Sequence, residues 1–157
     1  MHDLNQLSNF LERELDHCTL LQSILLKERE LVEKQQLDDL PKVLQQKADL
    51  LSSIEHTHTQ KHSWLSSRKL PLKLGDFTAQ VATNPTRDRC LLLWAQLNQT
   101  KLQCNESNTV NGIIIAKTRK RNGEQLELLK GIKVGKPLYD AAGKTIGTTG
   151  KSDIRLA

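Results

Sequence analysis

LNQLSNFLERELDHCTLLQSILLKERELV, residues 4–32, decides the fold class. Leu4, Leu11, Cys18, Leu25 and Val32 recur at heptad spacing, and the companion position reads Leu7, Glu14, Leu21, Glu28, so two carboxylates interrupt the seam. Phe10, Leu15, Ile24 and Leu31 widen the stripe. A stripe this broad is the buried face of a bundle helix rather than the narrow seam of a two-stranded coiled coil. No Gly or Pro precedes Pro41, and the spacing predicts a helix over 3–35.

The pattern continues outward from that helix. Asp38 or Asp39 is placed to cap a second helix over 39–66, with Pro41 in its first turn, where a missing N–H costs little. Leu40, Leu44, Leu51, Ile54 and Leu65 form its apolar face. The short connection predicts an antiparallel pair. Residues 67–85 hold Pro71, Gly75 and Pro85 and read as a crossover loop, with a short turn at 76–82. A third helix is expected over 86–130. Cys90, Trp94, Leu97, Cys104 and Ile115 lie along one stripe of it, and Leu91, Leu102 and Ile113, eleven apart, share a second face. Gly131 is a natural stop. Residues 131–157, with five Gly and one Pro, read as a flexible basic tail. The expected fold is therefore all-α: one domain over 1–130, an elongated antiparallel three-helix bundle with a long third helix and a mobile C-terminal tail.

Composition agrees with this reading and excludes others. The chain has 157 residues, 37% hydrophobic, and its only aromatics are Phe10, Trp64, Phe77, Trp94 and Tyr139. A β-sandwich would want more aromatic and β-branched residues. No apolar run approaches membrane-spanning length, and residues 1–10 lack a secretory h-region. Cys18, Cys90 and Cys104 are odd in number and lack CxxC spacing, as expected of small core residues in a reduced, cytoplasmic protein. The net charge of +5 is uneven: residues 117–157 hold ten Lys/Arg against four Asp/Glu, and residues 1–116 thirteen against fourteen.

Helix lengths point to a function. At 1.5 Å per residue, a third helix of about 45 residues would reach roughly 68 Å and a first of about 33 roughly 50 Å. The end over 112–130, with Ile113, Ile114, Ile115, Leu126, Leu128 and Leu129, is expected to project and to need a partner. Inward positions before it read Asn108 and Asn111, which either fix register or face a client, and Gly112 weakens the helix by about 1 kcal/mol relative to Ala. Lys117, Arg119, Lys120 and Arg121 form a basic cluster beside the isoleucines, fit for an acidic client or, less well without aromatic platforms, for nucleic-acid phosphates. His58 and His62 share a helix face, but two ligands do not make a metal site. No GxSxG elbow, P-loop or GxGxxG turn is present. No enzyme activity, cofactor or metal is expected.

In order along the chain, LLQSILLKERELVEKQQLDDL, then Lys47 with Leu50 and Leu51, then Asn105, Asn108 and Asn111 before Ile113–Ile115, then Leu128 and Leu129, then Leu138, Tyr139, Asp140 and Gly143 resemble the FlgN family of flagellar type III export chaperones. The resemblance covers nearly the whole chain. It implies a cytoplasmic, non-enzymatic chaperone that holds hook-filament junction (hook-associated) proteins, prevents premature assembly and delivers them to the export apparatus. It implies client binding by the C-terminal part, here Asn105, Asn108, Asn111, Ile113, Ile114, Lys117, Arg119, Arg121, Leu126, Leu129 and Tyr139. No membrane insertion and no nucleic-acid partner are expected, and bare apolar stripes predict self-association without a client. The alternatives are a helical adaptor of another assembly and nucleic-acid binding through the basic region.

Overall fold

The computed structural model describes residues 4–122 and 138–145. These are helical almost throughout: α1 (Leu4–Glu33), α2 (Leu40–Ser67), α3 (Leu74–Gln80) and α4 (Pro85–Asn122), with a single 3-10 turn at Leu37–Asp39. Among the described residues the only β pairing is an isolated bridge between Tyr139 and Thr145.

α1 is the central element, flanked by α2 and α4, which scarcely approach each other. Side-chain contacts fix the directions. Cys90 Sγ donates to Leu4 O, Cys104 Sγ to Cys18 O and Asn111 Nδ2 to Leu25 O, each across 86 residues, so α4 runs parallel to α1. The pairs Glu14–Lys61 and Glu28–Lys47 make α2 run back along α1. Long side chains link α2 to α4: Lys47 Nζ reaches Asn108 Oδ1 at 2.8 Å and Lys61 Nζ lies 5.7 Å from the centroid of the Trp94 ring.

Helix ends follow local chemistry. Asn84 Oδ1 accepts from Arg87 N at 2.9 Å, capping α4, with Pro85 as its first residue. α1 and α2 end alike: Gln36 N donates to Leu31 O and Leu70 N to Leu65 O, while Gln35 and Lys69 take φ of 55° and 54°, the six-to-one closure usually completed by glycine. The expected aspartate cap of α2 is not formed; Asp39 makes no side-chain cap bond, because the 3-10 turn feeds the chain into α2 through Leu40 N to Leu37 O. The crossover carries a helix of its own, α3, whose fully buried Phe77 lies 5.5 Å from Trp94.

The apolar core is in two parts. The larger runs from Leu4 to Leu25 on α1 with Ile54, Leu65, Phe77, Trp94, Leu97 and Cys104. The smaller joins Leu31, Val32, Leu40, Val43, Leu44 and Ile115. Between them lies a polar layer. Glu28 accepts from Lys47 Nζ at 2.8 Å, the same Nζ reaches Asn108 Oδ1 at 2.8 Å, and Arg29 Nε reaches Asn111 Oδ1 at 2.8 Å. Both seam carboxylates of α1 are thus paired by lysines rather than exposed.

Two expectations are corrected. The 86-residue offset sets Glu33 level with Arg119, so Ile113–Ile115 lie beside the last turns of α1, not beyond them, and Ile115 is 1% exposed. α4 continues unbroken through Gly112. The tail is not loose throughout: 138–145 packs on the helices, with Leu138 and Tyr139 in the larger core. The expected helix over 123–130, its stop at Gly131, and the remainder of the tail lie outside the described residues.

Candidate functional site

Residues 138–145 pack on α1 and α4, in a groove lined by Cys18, Lys101, Cys104 and Asn105. Asn105 on α4 holds the backbone of that segment from one side chain: Oδ1 accepts from Leu138 N at 2.7 Å and Tyr139 N at 3.0 Å, and Nδ2 donates to Tyr139 O at 3.3 Å. Tyr139, 3% exposed, points inward; its hydroxyl lies 3.8 Å from Cys18 Sγ. Lys101 Nζ sits 5.2 Å from the tyrosine ring centroid and donates to Gly143 O at 2.7 Å.

The segment also organises itself. Asp140 Oδ1 accepts from Ala142 N and Lys144 N, both at 2.9 Å, Asp140 N donates to Lys144 O at 2.9 Å, and Gly143 N donates to Asp140 O at 3.0 Å. Gly143 closes the turn at φ 79°, a conformation that disfavours a Cβ.

Under the docked tyrosine lies a buried charge cluster. Glu14 of α1, fully buried, accepts from Lys61 Nζ at 2.6 Å and from Lys101 Nζ, and lies 3.3 Å from His58 Nδ1. Burial alone would raise the Glu14 pKa, but His58, Lys61 and Lys101 outweigh it and hold the carboxyl well below the usual carboxylate range. Burial lowers the Lys61 pKa, against the pull of Glu14. Burial raises Cys18 to about 11 and Cys104 to about 12, so both thiols stay protonated and unreactive at neutral pH. The Tyr139 hydroxyl is pushed above its ordinary value by burial first and by the neighbouring thiols after it.

The residues expected to bind a client divide into three groups. Asn105 and Tyr139 meet in the groove of α1 and α4. Asn108 and Asn111, 7% and 1% exposed, are bonded to Lys47, Arg29 and the α1 backbone, which is the register-fixing alternative. Ile114 is half-buried against the smaller cluster, Arg119 is half-buried, and Ile113, Lys117 and Arg121 are exposed. Leu126 and Leu129 lie outside the described residues.

Sequence reasoning passed over part of an outer stripe. Leu92, Leu102, Val110 and Ile113 are 64%, 52%, 42% and 48% exposed. At 3.6 residues per turn they fall within about 80° of one α4 face over roughly 32 Å. The eleven-residue spacing of Leu102 and Ile113 was the available signal; half-buried Leu91 departs from it. The rings of His58 and His62 lie tilted to each other at 6.5 Å, and among the described residues no group of three His, Cys, Asp or Glu side chains could hold a metal ion. No described helix is long and apolar enough to cross a membrane.

A family model described as "FlgN protein" matches residues 1–146. No curated protein and no solved structure matches the chain.

Proposed function

The chain belongs to the FlgN family, and from that premise we propose that it is a non-enzymatic, cytoplasmic flagellar export chaperone. Its clients are hook-filament junction (hook-associated) proteins, which it keeps from premature assembly and hands to the type III export apparatus. The observation that carries the client-binding part is the outer face of α4, where Ile113, Val110 and Leu102 stand exposed on a helix whose opposite face is already used by α1.

Junction proteins that associate through apolar terminal helices would find in this stripe a substitute partner, recognised in helix-on-helix fashion. Each large apolar side chain fully covered contributes roughly 1.5–3 kcal/mol before ordering costs. Lys117, Arg119 and Arg121 supply orientation and speed of encounter rather than the bulk of the affinity. Leu126 and Leu129 belong to the client site in this proposal, and Ile114, half-buried, supports the stripe from beneath.

Calorimetric titration of a junction protein into the chaperone tests the reading. Ile113→Asp places a charge on an exposed position and leaves the core untouched. It is expected to weaken binding at least about tenfold, the equivalent of about 1.4 kcal/mol, with an unchanged helical melt. Wild-type affinity in this variant and in Leu129→Asp would remove both the exposed α4 face and Leu129 from the client site.

A further inference from the structure

We infer that the groove of α1 and α4 lined by Cys18, Lys101, Cys104 and Asn105 is a peptide-binding site, specific for an aliphatic–tyrosine pair followed by an aspartate-capped turn, and that residues 138–145 occupy it as an exchangeable ligand in cis. The inference does not depend on where the junction protein binds. Three observations carry it.

The first is how the segment is held. It joins the helices through side chains of α4 and α1, not by extending a helix or pairing with a strand. Asn105 acts as a stand-in peptide group, bonding two N–H groups and one carbonyl of the segment. Such a clip reads backbone and tolerates any chain that presents the same geometry.

The second is selectivity beneath the clip. The tyrosine ring enters a cleft bounded by Cys18, Cys104 and the Lys101 ammonium, and buried Leu138 packs beside it. Lys101 also takes the Gly143 carbonyl, so the residue four beyond the tyrosine must bring its backbone close. A Cβ at Gly143 would meet Lys101 Nζ at 3.4 Å and would be strained by the positive φ.

The third is that the segment carries its own hydrogen-bonded turn. Four hydrogen bonds among Asp140, Ala142, Gly143 and Lys144 lie within the turn itself. A preformed turn loses little conformational entropy on binding, which is what exchange between cis and trans copies requires. The class of partner that fits is therefore a protein segment with a Leu-Tyr pair and a tight turn after it.

The test uses the full chain with Tyr139→Ala, which empties the cleft, and a fluorescein-labelled synthetic peptide of residues 136–147. Fluorescence anisotropy is expected to show saturable binding to this variant, abolished when Asn105→Ala is added. Wild type should bind the peptide at least about tenfold more weakly, because its own segment holds the site. Equal binding by wild type and variant, or none by a folded variant, overturns the inference. A second measurement does not need the emptied cleft to fold. Asn105→Ala alone should raise alkylation of Cys18, mapped by mass spectrometry, about tenfold relative to Cys90, which lies at the far end of α1 beside Leu4. Parallel changes at both cysteines, or none, would mean that the segment is a fixed part of the core.

Discussion

Glu14 is a carboxylate with no solvent exposure, set among Lys61, Lys101 and His58. Its value lies in satisfying lysines that have little access to water: Lys61 and Lys101 are 4% and 5% exposed. Removing one member of such a buried set leaves an uncompensated charge, which costs about 3–5 kcal/mol. Glu14→Gln is expected to lower the free energy of urea unfolding at pH 7 by that amount. The pH dependence has a definite sign. The folded carboxyl titrates well below the unfolded one, so between the two values the unfolded chain binds more protons and stability rises with pH. Wild-type stability should hold above the ordinary carboxylate value of about 4.3 and fall as pH drops below it, and Glu14→Gln should flatten that fall. An acid limb of equal slope in both proteins would show that other carboxylates carry it.

At the scale of elements, two helices end in a conformation that suits glycine and hold a longer residue instead. Lys69 sits at φ 54° with its neighbour Leu70 bonded back to Leu65. The left-handed conformation costs an L-residue roughly 1–2 kcal/mol, and Gly gives back part of that in lost unfolded-state freedom. Lys69→Gly is expected to raise stability by about 0.5–1 kcal/mol, read as a higher midpoint in thermal unfolding; a lower midpoint would mean that the lysine stem contributes packing there. The helices were legible in the sequence because the apolar stripes of Leu4–Val32 and Cys90–Ile115 persist over many turns. The docking of 138–145 was not. Only Leu138 and Tyr139 bring apolar surface, no period announces them, and their anchor is Asn105, more than thirty residues away. A Gly-rich composition there marks turns as readily as looseness. Phe77 sets the same difficulty on a smaller scale: a single buried ring fixes the seven-residue α3 within a stretch whose prolines read as loop.

Over the whole molecule the polar layer of Glu28, Lys47, Asn108, Arg29 and Asn111 divides the core unequally. Below it lies the larger cluster, closed by α3 and by Tyr139; above it only six buried apolar side chains hold the α1–α2 turn to the end of α4. Opening free energies vary with such local packing, so the upper end should open first, and that is the end next to the exposed Ile113. Amides of 112–121 are therefore expected to exchange with deuterium faster than those of 94–104. The layer also fixes register, since Asn111 can meet both Arg29 and the Leu25 carbonyl in only one alignment of α4 on α1. Replacing the buried trio together, as Glu28→Leu, Lys47→Met and Asn108→Leu, removes the partners along with the charges. Such replacements are neutral or stabilising by about 1–4 kcal/mol. The triple variant should unfold at an equal or higher urea midpoint, and exchange over 112–121 should slow towards that of 94–104 as the two clusters fuse. If instead the midpoint falls while exchange above the layer quickens, the layer is a source of stability and the upper end is held by its hydrogen bonds rather than by the six apolar residues.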